Sequence, residues 1–70
     1  MNKDINKIFG HKVAEIRKSQ HLSQEELADR CGVHRTYIGF IERGEKSPTL
    51  TTVEKIANGL GVCICKLFEN

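Results

Sequence analysis

Two short helix-forming runs joined by one glycine constrain the fold of this chain more than any other feature. Residues 24–31 and 35–43 both place apolar side chains at helical spacing, and Gly32 lies between them. Glycine tolerates the positive φ that a tight turn between helices requires, and Ala28 is small enough to allow a close crossing. The inward positions of the two runs are occupied by Leu27, Cys31, Val33, Ile38 and Ile41. These requirements, satisfied together, predict two helices packed at a steep angle.

The rest of the chain also has helical spacing. We expect a first helix over about residues 4–19, and Ser23 begins the next one with Glu26 completing an S-x-x-E capping box. A loop rich in breakers follows the third helix, and Thr49 or Thr51 caps a fourth helix before a short last one. The apolar faces of these helices are formed by Ile5, Ile8, Phe9, Val13, Ile16, Leu50, Val53, Ile56, Ala57, Leu60, Ile64, Leu67 and Phe68. The prediction is an all-α bundle of about five short helices.

Length and composition limit what the chain can do. Seventy residues, of which 39% are hydrophobic and 29% charged, are typical of one small globular domain over residues 1–70. Because the core needs most of the apolar side chains, we expect no deep cavity for a large cofactor. No apolar run could span a membrane and no signal peptide is evident, so a cytoplasmic location is expected. The net charge of +2 is only mildly basic, which neither demands nor excludes a nucleic-acid partner.

Catalytic and metal-binding patterns are missing from the sequence. There is no Ser/His/Asp set, no paired carboxylates and no glycine-rich phosphate loop, so we expect no enzymatic activity. The three histidines do not have the spacing of metal ligands, and Cys31 fits an inward core position. Cys63 and Cys65 are separated by one residue. That spacing leaves a sensing role open, although two cysteines without a nearby histidine make a poor zinc site. We expect neither a cofactor nor a metal.

Residues 22–62, LSQEELADRCGVHRTYIGFIERGEKSPTLTTVEKIANGLGV, resemble the phage-repressor and Cro type of helix-turn-helix domain. Within them, RTYIxxIERG at 35–44 further resembles the small controller proteins of restriction–modification systems. The similarity covers nearly the whole chain once the first and last helices are included. The resemblance implies a prokaryotic or phage regulator with its helix-turn-helix at 24–43. Such proteins place the second helix of the helix-turn-helix, here the one over residues 35–43, with its N-terminal half in the major groove of double-stranded DNA.

The side chains at the start of that recognition helix could read bases. Arg35 offers two parallel donors to guanine, and Thr36 offers a hydroxyl and a methyl group to thymine. Tyr37 is expected to pack its ring on the preceding helix while its hydroxyl reaches a phosphate. Phe40 could contact a thymine methyl group or a sugar, or it could wedge against a partner subunit. Gly39 has no side chain that could contact a base, so DNA shape should supply part of the specificity.

Phosphate contacts are expected on both sides of the recognition helix. Gln24 begins a helix whose side chain and free backbone amides can bind an anionic oxygen. The resemblance implies further backbone contacts from Arg43, Lys46 and Ser47, just past the recognition helix.

Four other residues carry expectations that stem from the resemblance or from capping rules. Arg17 and Glu42 resemble a pair in the repressors in which the arginine is held by the glutamate and leans toward phosphate. The alternative is an ion pair that only stabilises the fold. His34 stands where serine, threonine or aspartate would cap a helix better, and it could instead reach a phosphate. Cys63 replaces the serine or asparagine cap of similar domains, which should weaken the start of the last helix.

A second copy of the chain is the expected protein partner. One copy would read only about 4 or 5 base pairs, which is too few to define a genomic site. A homodimer on a palindromic operator, with recognition helices about 34 Å apart, removes this problem. Ile64, Leu67 and Phe68, with the neighbouring end of the fourth helix, are the predicted interface.

The predicted function is sequence-specific transcription regulation, with autoregulation implied by the controller resemblance and RNA polymerase as a further candidate partner. Two alternatives stay open. One is the antitoxin of a toxin–antitoxin pair, and the other is a domain that binds only proteins.

Overall fold

The computed structural model describes residues 4–69, which form four α-helices, one 3-10 helix and no strand. The elements in chain order are α1 (Ile5–Ser19), α2 (Gln24–Cys31), α3 (Arg35–Glu42), α4 (Leu50–Leu60) and a 3-10 helix (Ile64–Phe68). The all-α prediction is confirmed. None of the helices within residues 4–69 is long and apolar enough to cross a membrane.

The helices begin at side chains that satisfy their free amide groups. The Ser23 hydroxyl accepts from the Glu26 N–H at 3.0 Å, and the Glu26 carboxylate accepts from the Ser23 N–H at 2.7 Å. The predicted capping box is therefore present, and these hydrogen bonds lower the pKa of Glu26. Of the two threonines considered for α4, Thr49 is the cap, because its hydroxyl accepts from the Thr52 N–H at 3.2 Å.

The turn between α2 and α3 depends on Gly32. Its φ is 72°, in the left-handed region, where a side chain would introduce strain. The Val33 N–H donates back to the Ala28 carbonyl at 3.0 Å, which satisfies one of the carbonyls left free at the end of α2. The chain can therefore leave α2 and begin α3 within three residues.

The core lies between all five elements and contains most of the predicted apolar positions. Its buried side chains are Phe9, Val13, Leu27, Ala28, Cys31, Ile38, Ile41, Val53, Ile56, Ala57, Leu60 and Leu67. Two predicted core residues are instead exposed: Ile5 is 54% exposed and Leu50 is 88% exposed. Each is the first residue of its helix, and at that position no neighbouring element covers the side chain.

The last helix is short, as predicted, but it is a 3-10 helix and not an α-helix. It spans five residues, and Cys63 makes no side-chain capping hydrogen bond at its start. A 3-10 turn is common where a short segment lacks the length and the cap for an α-helix. The segment is held by Leu67, which is fully buried, and by Phe68, whose ring centroid lies 5.2 Å from that of Phe9. The chain thus has four α-helices and a 3-10 helix in its described part, not five α-helices.

Candidate nucleic-acid interface

The recognition helix α3 is held firmly along its inner face. Ile38 and Ile41 are fully buried against the other helices. Gly10 of α1 lies so close to α3 that an added Cβ would overlap the Ile41 carbonyl oxygen and lie 2.9 Å from that of Glu42. Because nothing larger than glycine fits there, the C-terminal part of α3 approaches α1 backbone to backbone. The position of α3 on the domain is therefore fixed by packing.

The start of α3 is exposed. Arg35 and Thr36 both lie at the surface, as the sequence predicts for residues that read bases. Within residues 4–69, the Arg35 guanidinium pairs with the Glu25 carboxylate at 3.5 Å, and both side chains are more than 60% exposed. An exposed ion pair of this length contributes little. The guanidinium can therefore turn toward another acceptor.

His34 caps α3 in spite of being an unfavoured residue for that position. Its Nδ1 atom accepts from the Thr36 N–H at 3.0 Å, which requires Nδ1 to be unprotonated. The imidazole thus takes the place of a serine or aspartate oxygen at the helix start. Because the His34 side chain caps the helix, it holds the first turn of α3 in place.

The Phe40 ring contacts two of the predicted phosphate-binding cations. The Arg43 guanidinium carbon lies 5.3 Å from the centre of the Phe40 ring, and the Lys46 ammonium lies 5.7 Å from it. Cations at this distance are attracted by the ring's quadrupole. The sequence analysis assigned Phe40 to DNA or to a partner subunit and missed this contact. The three-residue spacing could have suggested the Arg43 contact, whereas the Lys46 contact depends on the path of the loop.

Arg17, Glu42 and Gln24 form one network that joins α1, α3 and α2. Arg17 donates from Nε and Nη2 to the Glu42 carboxylate at 2.7 and 3.0 Å, and from Nη1 to the Leu22 carbonyl at 2.7 Å. Gln24 donates from Nε2 to the same carboxylate at 2.9 Å. Only 8% of Arg17 is exposed. Its guanidinium therefore faces protein acceptors, and it holds the Glu42 carboxylate that also accepts from Gln24.

The remaining predicted contacts lie around the C-terminal end of α3. The ends of Gln24 and Arg43 both come within 4 Å of the position that a Cβ at Gly39 would occupy, so the absence of a side chain there leaves room for both polar groups. Lys46 and Ser47 are exposed in the following loop. Tyr37 is half-buried and packs against the core, as expected of its ring.

Lys7 is a cation that the sequence analysis did not assign to the site. Its side chain and backbone lie against Gly44, just past α3. Together with His11, Lys12 and Arg43 it lines an open groove of about 670 Å³ between α1 and the end of α3. The carboxylates of Glu15, Glu42 and Glu69 line the same groove, so its charge is mixed. The helical pattern of α1 identifies Lys7 as a surface residue but gives no sign of which loop it borders.

A separate apolar patch lies on α4 and the 3-10 helix. Leu50, Ile64 and Phe68 are 88%, 43% and 39% exposed, and with Val53 they line a depression of about 400 Å³. We call these four residues the apolar patch. Leu67, which was predicted to contact a partner, has no exposed surface left because its side chain fills the protomer's own core. Leu50, predicted to lie in the core, is on the patch instead.

Comparison with known proteins places this architecture in a family. The helix-turn-helix family matches residues 13–65. Control protein C.BamHI of Bacillus amyloliquefaciens is 49% identical over 63 residues, which cover 89% of this chain and 78% of that protein. Control protein C.SmaI of Serratia marcescens is 44% identical over 65 residues, covering 93% and 77%.

A solved structure shows the same fold. The restriction–modification controller protein C.AhdI from Aeromonas hydrophila superposes with a TM-score of 0.88 at 36% identity, covering 90% of this chain and 96% of that one. The resemblance to repressors and controller proteins is thereby confirmed. This chain belongs to the helix-turn-helix family of DNA-binding transcriptional regulators.

Proposed function

We propose that this chain is a controller-type transcription regulator that binds a two-fold symmetric DNA operator as a homodimer. One observation carries the proposal. The first turn of α3 presents Arg35 and Thr36 to solvent, while Ile38 and Ile41 on the inner face of the same helix are fully buried. A rigid helix with an exposed polar start is suited to entering the major groove.

Cations and amides around α3 would bind the DNA backbone. Gln24, oriented by Glu42, and Arg43 both end close to Gly39. Lys46 lies with Arg43 beside the Phe40 ring, and Ser47 follows it in the loop. Contacts of this kind fix the orientation of a protein on the duplex but carry no sequence information. In this proposal Arg17 supports Gln24 and does not contact DNA itself.

Dimerisation would use the apolar patch. An exposed leucine, isoleucine and phenylalanine on neighbouring elements form a contiguous surface that a second copy could cover, and contiguous apolar patches commonly mark interaction sites. A two-fold axis through this patch would bring the same residues of both copies together.

The controller relatives suggest an autoregulating role in a restriction–modification system. On an operator beside a promoter, the bound dimer would either recruit RNA polymerase or exclude it. The operator's position would decide between activation and repression.

The salt dependence of DNA binding tests this proposal. If about five phosphates are neutralised per protomer, a plot of log Kobs against the logarithm of the salt concentration should have a slope of about −9 for the dimer. The affinity of the protein for labelled duplex DNA is measured by fluorescence anisotropy over a series of salt concentrations. Lys46→Ala should reduce the slope by about one per protomer.

Lys55→Ala is the matched control, because Lys55 is an exposed lysine on α4 outside the proposed contacts. It should leave the slope unchanged. Binding that does not depend on salt, or an equal effect of the two lysine variants, would contradict the proposed interface.

A further inference from the structure

The two cysteines near the end of the chain have no role in the proposed DNA interface, yet they lie in contact. Cys63 directly precedes the 3-10 helix and Cys65 is its second residue. Their Sγ atoms are 2.9 Å apart, and both residues are exposed. Since a disulfide bond is about 2.05 Å long, the sulfur atoms need to approach by only roughly 1 Å to bond.

The two thiols are not equivalent. Hydrogen bonding with the Cys65 thiol, and with the backbone of Cys65 and Lys66, lowers the pKa of Cys63. The same thiol contact raises the pKa of Cys65. A thiolate is the nucleophilic form of cysteine. The 2.9 Å contact places either sulfur within reach of the other, and the lowered pKa favours Cys63 as the attacking thiol.

Cys31 provides a contrast within the same chain. It is buried in the core against α4, with its sulfur facing Gly59. Burial raises the pKa of this thiol. Buried cysteines of this kind are inert compared with exposed thiols that have a lowered pKa.

We propose that Cys63 and Cys65 are a reversible redox pair that a peroxide closes into an intramolecular disulfide. In the first step the Cys63 thiol loses its proton and its sulfur bonds to one oxygen of hydrogen peroxide. The O–O bond breaks, and the hydroxide that leaves takes up a proton to give the first water. The Cys65 thiol then loses its proton and its sulfur attacks the sulfenic acid at Cys63. The S–S bond forms, the S–O bond breaks, and the leaving hydroxide takes up a proton. Overall, two thiols and one hydrogen peroxide give one disulfide and two waters.

The disulfide would link Cys63 to Cys65 at the start of the 3-10 helix, where no side chain caps the helix. Ile64 of the apolar patch lies between the two cysteines. The pair is thus a chemical modification site at the border of that patch. Low-molecular-weight thiols would reopen it by thiol–disulfide exchange.

Thiol counting by mass spectrometry tests the inference. The reduced protein is treated with one equivalent of hydrogen peroxide, unfolded, and alkylated. The expected product is a monomer that has lost two hydrogen atoms and two of its three alkylatable thiols, with Cys31 the one that remains. Dithiothreitol should restore all three.

Single substitutions separate the roles of the two thiols. Cys65→Ser should trap a sulfenic acid at Cys63 that dimedone labels, whereas Cys63→Ser should slow oxidation and give no intramolecular disulfide. Cys31→Ala should oxidise as the parent does, and circular dichroism checks that each variant is folded. Oxidation that links two chains, that consumes Cys31 first, or that leaves all three thiols free would overturn the inference. None of these readouts depends on DNA binding.

Discussion

In a domain of this size, a single buried side chain such as Arg17 can have a large effect on stability. Its guanidinium makes three hydrogen bonds inside the protein, two of them to Glu42. The Arg17 and Glu42 side chains are 10% and 6% exposed. Removing one member of a buried ion pair leaves the other charge desolvated and unmatched, which costs more than the intact pair contributes.

We expect Arg17→Ala to lower the free energy of unfolding by about 3–5 kcal/mol, the usual cost of breaking a buried pair. Domains of this kind are stable by only about 5–15 kcal/mol in total, so a substantial unfolded population should result. Urea unfolding followed by circular dichroism measures the change.

The double variant Arg17→Met with Glu42→Leu is the control, since replacing both charges with apolar groups is often neutral. It should recover most of the lost stability. An Arg17→Ala variant as stable as the parent would show that the pair is not energetically important.

The functional side chains could be predicted only in part. Arg35, Thr36, Lys46 and Ser47 are exposed, as expected, because their positions follow from helix register and loop composition. The environment of Phe40 was not foreseen, since the path of the loop that carries Lys46 back over the ring is a tertiary feature. Whether these residues touch DNA stays a prediction.

Among the helices, α1 and α3 depend on each other through one position. Gly10 has no room for a methyl group, because the obstructing atoms are backbone carbonyls of α3 that cannot rotate away. Gly39, on α3 itself, is different. The nearest group to an added Cβ there is the end of the flexible Arg43 side chain at 3.3 Å.

We expect Gly10→Ala to force α1 and α3 apart and to destabilise the protein, although alanine favours a helix over glycine by about 0.5–1 kcal/mol. Gly39→Ala, the matched control, should be neutral or slightly stabilising. Thermal unfolding compares the two variants. If Gly10→Ala melts at or above the temperature of the parent, the close approach of the two helices is not needed.

Helix boundaries were largely predictable because local chemistry determines them. The Ser23 capping box and Gly32 are read directly from side-chain type and φ preference. The last helix was not predictable in detail, since its 3-10 geometry depends on how Leu67 reaches the core. The exposure of Ile5 and Leu50 also depends on what surrounds the helix ends, and a periodic pattern carries no information about that.

For the molecule as a whole, the apolar patch and the recognition helix are separate surfaces with separate tasks in the proposed dimer. Leu50 and Ile64 are exposed in the protomer. Substituting them should therefore alter association while leaving the protomer folded.

We expect Leu50→Asp with Ile64→Asp to give a monomer in analytical ultracentrifugation at concentrations where the parent is dimeric. The affinity for the operator should fall as well, because each protomer of this variant would bind alone. Thermal unfolding checks that the variant is folded.

Asn58→Asp adds a negative charge to an exposed position of the same α4 helix, outside the patch, and should dimerise normally. A parent protein that is monomeric at tens of micromolar with and without DNA would contradict this assignment. A double-aspartate variant that still dimerises would do so as well.

Selection of bound sequences from a random pool of duplex DNA tests the central claim most directly, because it reports specificity and symmetry together. We predict enrichment of an inverted repeat whose half-site centres are about one helical turn apart, about 10–10.5 base pairs, or a multiple of that. Arg35→Ala should lose the preference at one position in each half-site and about 1–3 kcal/mol of binding free energy. Recovery of no common sequence, or of a single asymmetric site that Arg35→Ala selects equally well, would contradict the account.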